Sequence, residues 1–262
     1  MILGRRLSIF VCTLALIPAA QTLAQEPRAG ATCADPGTLA GKMTVAGAHA
    51  YVAGTLFVPP KVRLEVASVV GEDGVVRWRP VIDGKEVDDP AAMAWKAGRY
   101  EVGAAAVNRC GDLVPVEPLA FTVDAEAPTL TPEIVDDDAL ADRSLKKRKD
   151  ARRNAVLWSG GAQWFPLPSE GATVRIASDQ AQVFFYAPDA TVSLDGRDEG
   201  LEKDRMLRIR AEDAESRVEH LTFRTRRESG GIVLAVETAD LVGNVRKGEW
   251  VLETGQDSRG KR

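Results

Sequence analysis

Between Arg205 and Glu253 apolar and polar residues alternate in three separate runs, Leu207-Ile209-Ala211, Leu221-Phe223 and Ile232-Leu234-Val236. A period of two buries one face of an extended strand and wets the other, and a helix with its period of 3.6 cannot reproduce it. The runs are separated by Ala211-Glu212-Asp213, by Gly230-Gly231 and by Asp240-Leu241-Val242-Gly243-Asn244, all of turn-forming composition. This third of the chain is therefore expected to be an antiparallel β module.

The segment Ala211-Glu212-Asp213-Ala214-Glu215-Ser216-Arg217-Val218 is similar to the A-x-D-x-x-S-G-V element of secreted bacterial Ig-like repeats, with Arg217 where that family prefers Gly. Thr238-Ala239-Asp240-Leu241-Val242-Gly243-Asn244 resembles its A-x-D-x-x-G-N ending, with Thr238 in place of Ala. The resemblance implies a β-sandwich used as a structural or adhesive module, and it implies no catalytic residue. A fainter copy lies upstream, from Gly98-Arg99-Tyr100-Glu101-Val102 to Ala106-Val107-Asn108-Arg109-Cys110-Gly111-Asp112. Aligned with the C-terminal ending, Asn108 meets Asp240, Gly111 meets Gly243 and Asp112 meets Asn244. Phe121-Thr122-Val123-Asp124, followed by Ala127-Pro128-Thr129, looks like the strand and linker that close such a repeat.

The chain begins with the features of an export signal at residues 1–24. Arg5 and Arg6 supply the positive start, Leu7 to Ala20 the apolar run, and Thr22-Leu23-Ala24 a cleavage site of small-x-small type. That run is too short for a spanning helix, and no later segment is long and apolar enough for one. Removing the signal deletes two arginines and no acid, so the remaining chain is more acidic than the formal net charge of -4. Such a balance argues against a nucleic-acid partner. The destination is the periplasm, the cell surface or the medium. There Cys33 and Cys110 are expected to form one disulfide, worth roughly 4 kcal/mol by chain entropy. Free thiols or a metal site are the competing reading, and no histidine lies near either cysteine in sequence.

The expected fold class is all-β: two Ig-like antiparallel β-sandwich domains joined by a Pro-containing, partly helical linker. Residues 25–124 form the first domain, with strands at Ala50–Phe57, Val62–Val69, Val75–Ile82, Arg99–Val107 and Val116–Val123. Asp83-Gly84 and Asp195-Gly196 mark two-residue hairpins. Residues 125–155 form the linker. Pro128 and Pro132 open it, and Asp136 to Asp138 cap a helix that turns basic from Arg143 to Arg153. Residues 156–254 form the second domain, and residues 255–262 a polar tail expected to fray.

No catalytic constellation emerges. Asp213 and Asp240, with Gly243 and Asn244, are read as turn-forming. A calcium role for the two aspartates ranks second because the dense D-x-D spacing typical of such loops is missing. No metal ligand and no cofactor is nominated. Trp158, Trp164 and Phe165 form a possible stacking platform for a glycan, which Trp78, Trp95 and Trp250 would join only if folding brought them near. The basic run from Arg143 to Arg153 is read as a solvated helix before it is read as an anion-binding surface. His220 is expected on the exposed face of its strand. The function expected is that of a non-enzymatic exported module, binding an envelope or surface protein through loops such as Asp195–Asp204 and Arg224–Gly231, with carbohydrate binding as the alternative.

Overall fold

A computed structural model describes residues 41–68, 75–87, 94–108, 110–139, 155–158, 163–166, 173–176 and 181–254. The described residues are overwhelmingly extended, and the strands divide at the prolines. Ten precede Pro128: β1 (Gly41–Ala46), β2 (Ala50–Val52), β3 (Thr55–Val58), β4 (Arg63–Ser68), β5 (Val75–Ile82), β6 (Lys85–Glu86), β7 (Gly98–Asn108), β8 (Leu113–Val114), β9 (Val116–Glu117) and β10 (Leu119–Val123). A three-stranded sheet of order β4-β1-β9 faces a seven-stranded sheet of order β2-β3-β10-β7-β5-β6, with β8 added on β7. Period-two alternation puts Met43 and Leu64 from the first sheet against Leu56, Val58, Val102, Phe121 and Val123 from the second. Trp95, only 4% exposed, closes this core in edge contact with Tyr100 and Phe121.

Eleven strands follow: β11 (Thr129–Asp136), β12 (Ala155–Trp158), β13 (Gln163–Pro166), β14 (Thr173–Ile176), β15 (Gln182–Tyr186), β16 (Ala190–Leu194), β17 (Arg197–Leu201), β18 (Arg205–Glu212), β19 (Val218–Glu228), β20 (Gly231–Asp240) and β21 (Val245–Thr254). They form sheets of order β11-β18-β15-β12-β13 and β14-β19-β20-β21-β16-β17. Val183, Phe185, Leu207 and Ile209 of one sheet pack on Leu221, Phe223, Leu234 and Leu252 of the other. The alternate residues Phe184, Tyr186 and Met206 are buried as well, in a smaller cluster on the outer face of the five-stranded sheet. The chain is thus all-β, two Ig-like sandwiches in succession, each with its own core.

Both expected hairpins are present. Asp83 and Gly84, with φ of 51° and 74°, join β5 to β6, and Asp195 and Gly196, with φ of 51° and 76°, join β16 to β17. Positive φ at both central residues is the twist a tight hairpin needs.

Four expectations need correction. The sheets are not wholly antiparallel: β1 runs parallel to β9, and β3 parallel to β10. The run Ala50–Phe57 is a hairpin rather than one strand, because Ala53 and Gly54 turn the chain with φ of 49° and 84°. Residues 129–136, expected in the linker, are strand β11, paired along its whole length with β18. Pro132 is tolerated there because β11 is an edge strand, where a missing N–H leaves no inner ladder bond unmade. Glu133 adds a bond from this edge to Arg208, at 2.7 Å, and that hydrogen bond holds the Glu133 carboxyl below its ordinary value. Finally, the loops Asp195–Asp204 and Arg224–Gly231 are in large part strand, supplying β17 (half of the first) and the end of β19.

Asp136 ends β11, and Asp137–Ala139 form a single 3-10 turn. The expected basic helix, the cleavable signal, Cys33 and the polar tail lie outside the described residues. No helix among the described residues is long and apolar enough to cross a membrane.

Candidate functional site: an acidic junction between the sandwiches

Five residues, 124–128, separate β10 from β11, so the two sandwiches meet over a very short connection. Three elements converge there: the end of β10, the β18–β19 turn and the β20–β21 turn.

The β20–β21 turn is built around Asp240, which is fully buried. Its Oδ1 accepts the backbone N–H groups of Val242 and Asn244 at 2.9 and 2.8 Å. Its Oδ2 accepts the Asn244 side-chain amide at 2.8 Å. The backbone closes the loop, with Asp240 N–H on Asn244 O and Gly243 N–H on Asp240 O. Gly243 sits at φ 93°, a left-handed conformation that a side chain would strain. Both oxygens of the buried Asp240 carboxylate are thereby matched.

The first sandwich carries the same turn. Asn108 Oδ1 accepts Cys110 N–H and Asp112 N–H, both at 2.9 Å, and the Asn108 amide donates to Asp112 Oδ2 at 3.3 Å. Asn108 N–H reaches Asp112 O, Gly111 N–H reaches Asn108 O, and Gly111 lies at φ 92°. Bond for bond the two corners agree, with acid and amide exchanged between the first and last positions. Cys110 in the first of them is disulfide-bonded.

The β18–β19 turn uses Asp213 in a related way. Its Oδ1 accepts three backbone N–H groups, from Glu215, Ser216 and Arg217, at 2.8 to 3.1 Å. Arg217 has φ 69°, the physical reason glycine suits this position in the resembling repeats. Leu241 N–H donates to Arg217 O, which ties the two turns together.

The end of the first sandwich completes the arrangement. Asp124, 1% exposed, donates its N–H to Val58 O and accepts Glu126 N–H on Oδ1 at 3.0 Å. The amide of Asn244 donates to Asp124 O at 3.1 Å and Glu126 O at 3.2 Å besides Asp240. Three acceptors around one side-chain atom require the nitrogen there, so the orientation of Asn244 is fixed by chemistry. Farther along the connection, Arg246 Nε donates to Pro128 O and Thr129 Oγ1 to Glu212 O.

Carboxylate oxygens of Asp124, Asp213 and Asp240 lie within 4.8 Å of one another. Burial raises the Asp240 carboxyl above its ordinary value, and the Asp124 charge adds to this, against the lowering pull of the Asn244 and Val242 N–H bonds. Burial likewise raises Glu215, with Asp124, Asp213 and Glu126 adding to it. Beside the cluster lies an open cleft of about 770 Å³, lined by acids such as Glu126, Glu212 and Glu215 together with Arg210.

Of the residues singled out in sequence, Asp213, Asp240, Gly243 and Asn244 come together here. Asp124 joins them from far upstream; the available signal was an aspartate directly following the closing strand of a repeat. The tryptophans with described side chains do not assemble around this site. Trp95 is core, Trp78 is partly buried in the first sandwich and Trp250 in the second. Trp158 pairs with Gln163, Trp164 with Leu157 and Phe165 with Val156 in the β12–β13 ladder, and their side chains lie outside the described residues. His220 alternates with the buried Leu221 and Phe223, on the opposite face of β19, and is only partly exposed there, with Glu219 at 3.2 Å.

No family model matches the chain, and no curated protein matches it. Among solved structures it is similar to the fibronectin(III)-like modules of Clostridium thermocellum CbhA, with a TM-score of 0.28 and 10% identity over 81% of this chain and 94% of that chain. At that score the likeness adds nothing to the topology read from the strands themselves.

Proposed function

We propose that this chain is an exported, non-enzymatic protein of the bacterial envelope or cell surface, whose tandem Ig-like modules act as a spacer and interaction unit for an envelope or surface protein. In this reading residues 1–24 are the export signal, and Cys33 is the disulfide partner of Cys110. That bond anchors the start of the mature chain to the corner after β7. The repeat family is that of the secreted bacterial Ig-like modules, whose motifs at Asp213 and Asp240–Asn244 fall in the turns described above.

The observation that carries the reading is the recurrence of one hydrogen-bonded corner in both sandwiches, at Asn108–Asp112 and at Asp240–Asn244. The second copy also holds the end of the first module. Acids spent on turn amides and on a junction maintain shape, and recognition is left to sheet faces and hairpin tips.

The test is expression of the full chain with its own leader in a Gram-negative host. The expected product is periplasmic, begins at Gln25, yields a Cys33–Cys110 peptide under non-reducing digestion, and retains a protein from envelope extract. A cytoplasmic product with reduced cysteines, or turnover on a panel of hydrolase substrates, would overturn it.

A further inference from the structure

The acidic junction is over-supplied with negative charge for a purely hydrogen-bonded corner. Asp240 has partners on both oxygens and Asp213 on Oδ1. Asp124 is different. Its Oδ1 takes the Glu126 N–H, whereas its Oδ2 is buried with no hydrogen-bond partner among the described residues. An orphaned carboxylate oxygen in a residue 1% exposed is costly, and more so beside two other carboxylates within 4.8 Å. Such a group needs either a shared proton or a cation.

The geometry favours a cation. Oxygens around one calcium ion lie 2.3–2.6 Å from it, so any two of them are at most about 5.2 Å apart, and the three carboxylates meet that limit. The ligands come from three separate elements, and two of them, Asp124 and Asp213, border an open cleft from which water and the neighbouring Glu126 and Glu215 can complete a coordination shell. Magnesium demands a tighter octahedron and gives up water reluctantly, which suits this site less well.

We infer that Asp124, Asp213 and Asp240 bind one divalent cation of calcium's size at the junction of the two sandwiches. Sequence spacing favours a purely structural role for Asp213 and Asp240, and Asp124 is what changes the reading. Because Asp124 belongs to the end of the first module and its companions to the second, the ion cross-links them. The inference does not depend on the export reading, since the ligand set is the same in any compartment.

The full chain, stripped with EDTA, should bind calcium chloride in a calorimetric titration at one ion per chain. The dissociation constant should lie near the 10⁻⁴ to 10⁻³ M range of extracellular modules, with magnesium at least about tenfold weaker. Its melting temperature should rise with millimolar calcium. Asp124→Asn and Asp213→Asn each keep a side-chain oxygen for the turn and should each weaken calcium binding by about tenfold or more, with unchanged circular dichroism. Asp112→Asn, in the equivalent corner without a carboxylate cluster, should leave binding unaltered. A folded chain that shows neither heat nor a melting shift in millimolar calcium, but is stabilised by mild acid, would overturn the inference in favour of a shared proton. Calcium binding that survives in both variants would overturn it too.

Discussion

Phe223→Ala is expected to destabilise the second sandwich by about 3 to 5 kcal/mol and to leave the melting of the first in place. Phe223 is 1% exposed in β19, with Val236 across the ladder, and it meets Phe185 of the facing sheet edge-on at a ring separation of 5.8 Å. Truncation removes the aromatic contact and opens a cavity between two sheets whose backbones are held by their own ladders, so the gap cannot simply collapse. For a module of this size the loss corresponds to a fall on the order of 15 °C in melting temperature. Scanning calorimetry is the check. Phe121→Ala should give the reverse pattern, because Phe121 lies in the other core with Trp95 and Tyr100. If both transitions moved together in either variant, the modules would share more stability than two separate cores allow.

The second large effect is expected at Asp240. Asp240→Ala leaves Val242 N–H and Asn244 N–H without their acceptor beside a fully buried position and removes one of the three acceptors of the Asn244 amide, at a cost of about 1–3 kcal/mol for each buried group left unpaired. Loss of one negative charge beside Asp124 and Asp213 offsets part of this, so a net loss of about 3 kcal/mol is expected in denaturant unfolding of the second module. The double variant Asp240→Asn with Asn244→Asp rebuilds the acid-amide order found at Asn108 and Asp112, and should recover most of that stability. It should not restore the junction, because a carboxylate at position 244 would face the carbonyls of Asp124 and Glu126 that the amide now serves. Stability and junction order should therefore separate in this variant. A double variant no more stable than Asp240→Ala would show that the two corners are not interchangeable.

Much of the architecture was legible because its signals are local. Asp83-Gly84 and Asp195-Gly196 sit where two-residue hairpins need positive φ, and both form them. Alternation at Leu207, Phe223 and Leu234 reports a single buried face, and each is core. The alignment of Asn108 with Asp240, Gly111 with Gly243 and Asp112 with Asn244 holds at the level of individual hydrogen bonds. What was not legible is non-local. Strand β11 was masked by Pro128 and Pro132, which read as a hinge until the chain is known to lie at a sheet edge. The parallel pairings of β9 and β10 follow from how the chain returns to the sheets, and two-residue contacts such as Thr122–Phe57 leave no pattern in composition. Asp124 lies far from Asp213 and Asp240 in sequence, so spacing rules that seek dense acidic loops pass over it.

At the junction, Asn244 and its acidic neighbours hold the two sandwiches as one body. Distance measurement by double electron–electron resonance, with spin labels at exposed Tyr51 in the first module and Val251 in the second, addresses this directly. A single narrow distance distribution is predicted for the native chain, broadening when Asn244→Ala removes the amide from Asp124 O and Glu126 O. A broad distribution in the native chain, unchanged by that substitution, would contradict it.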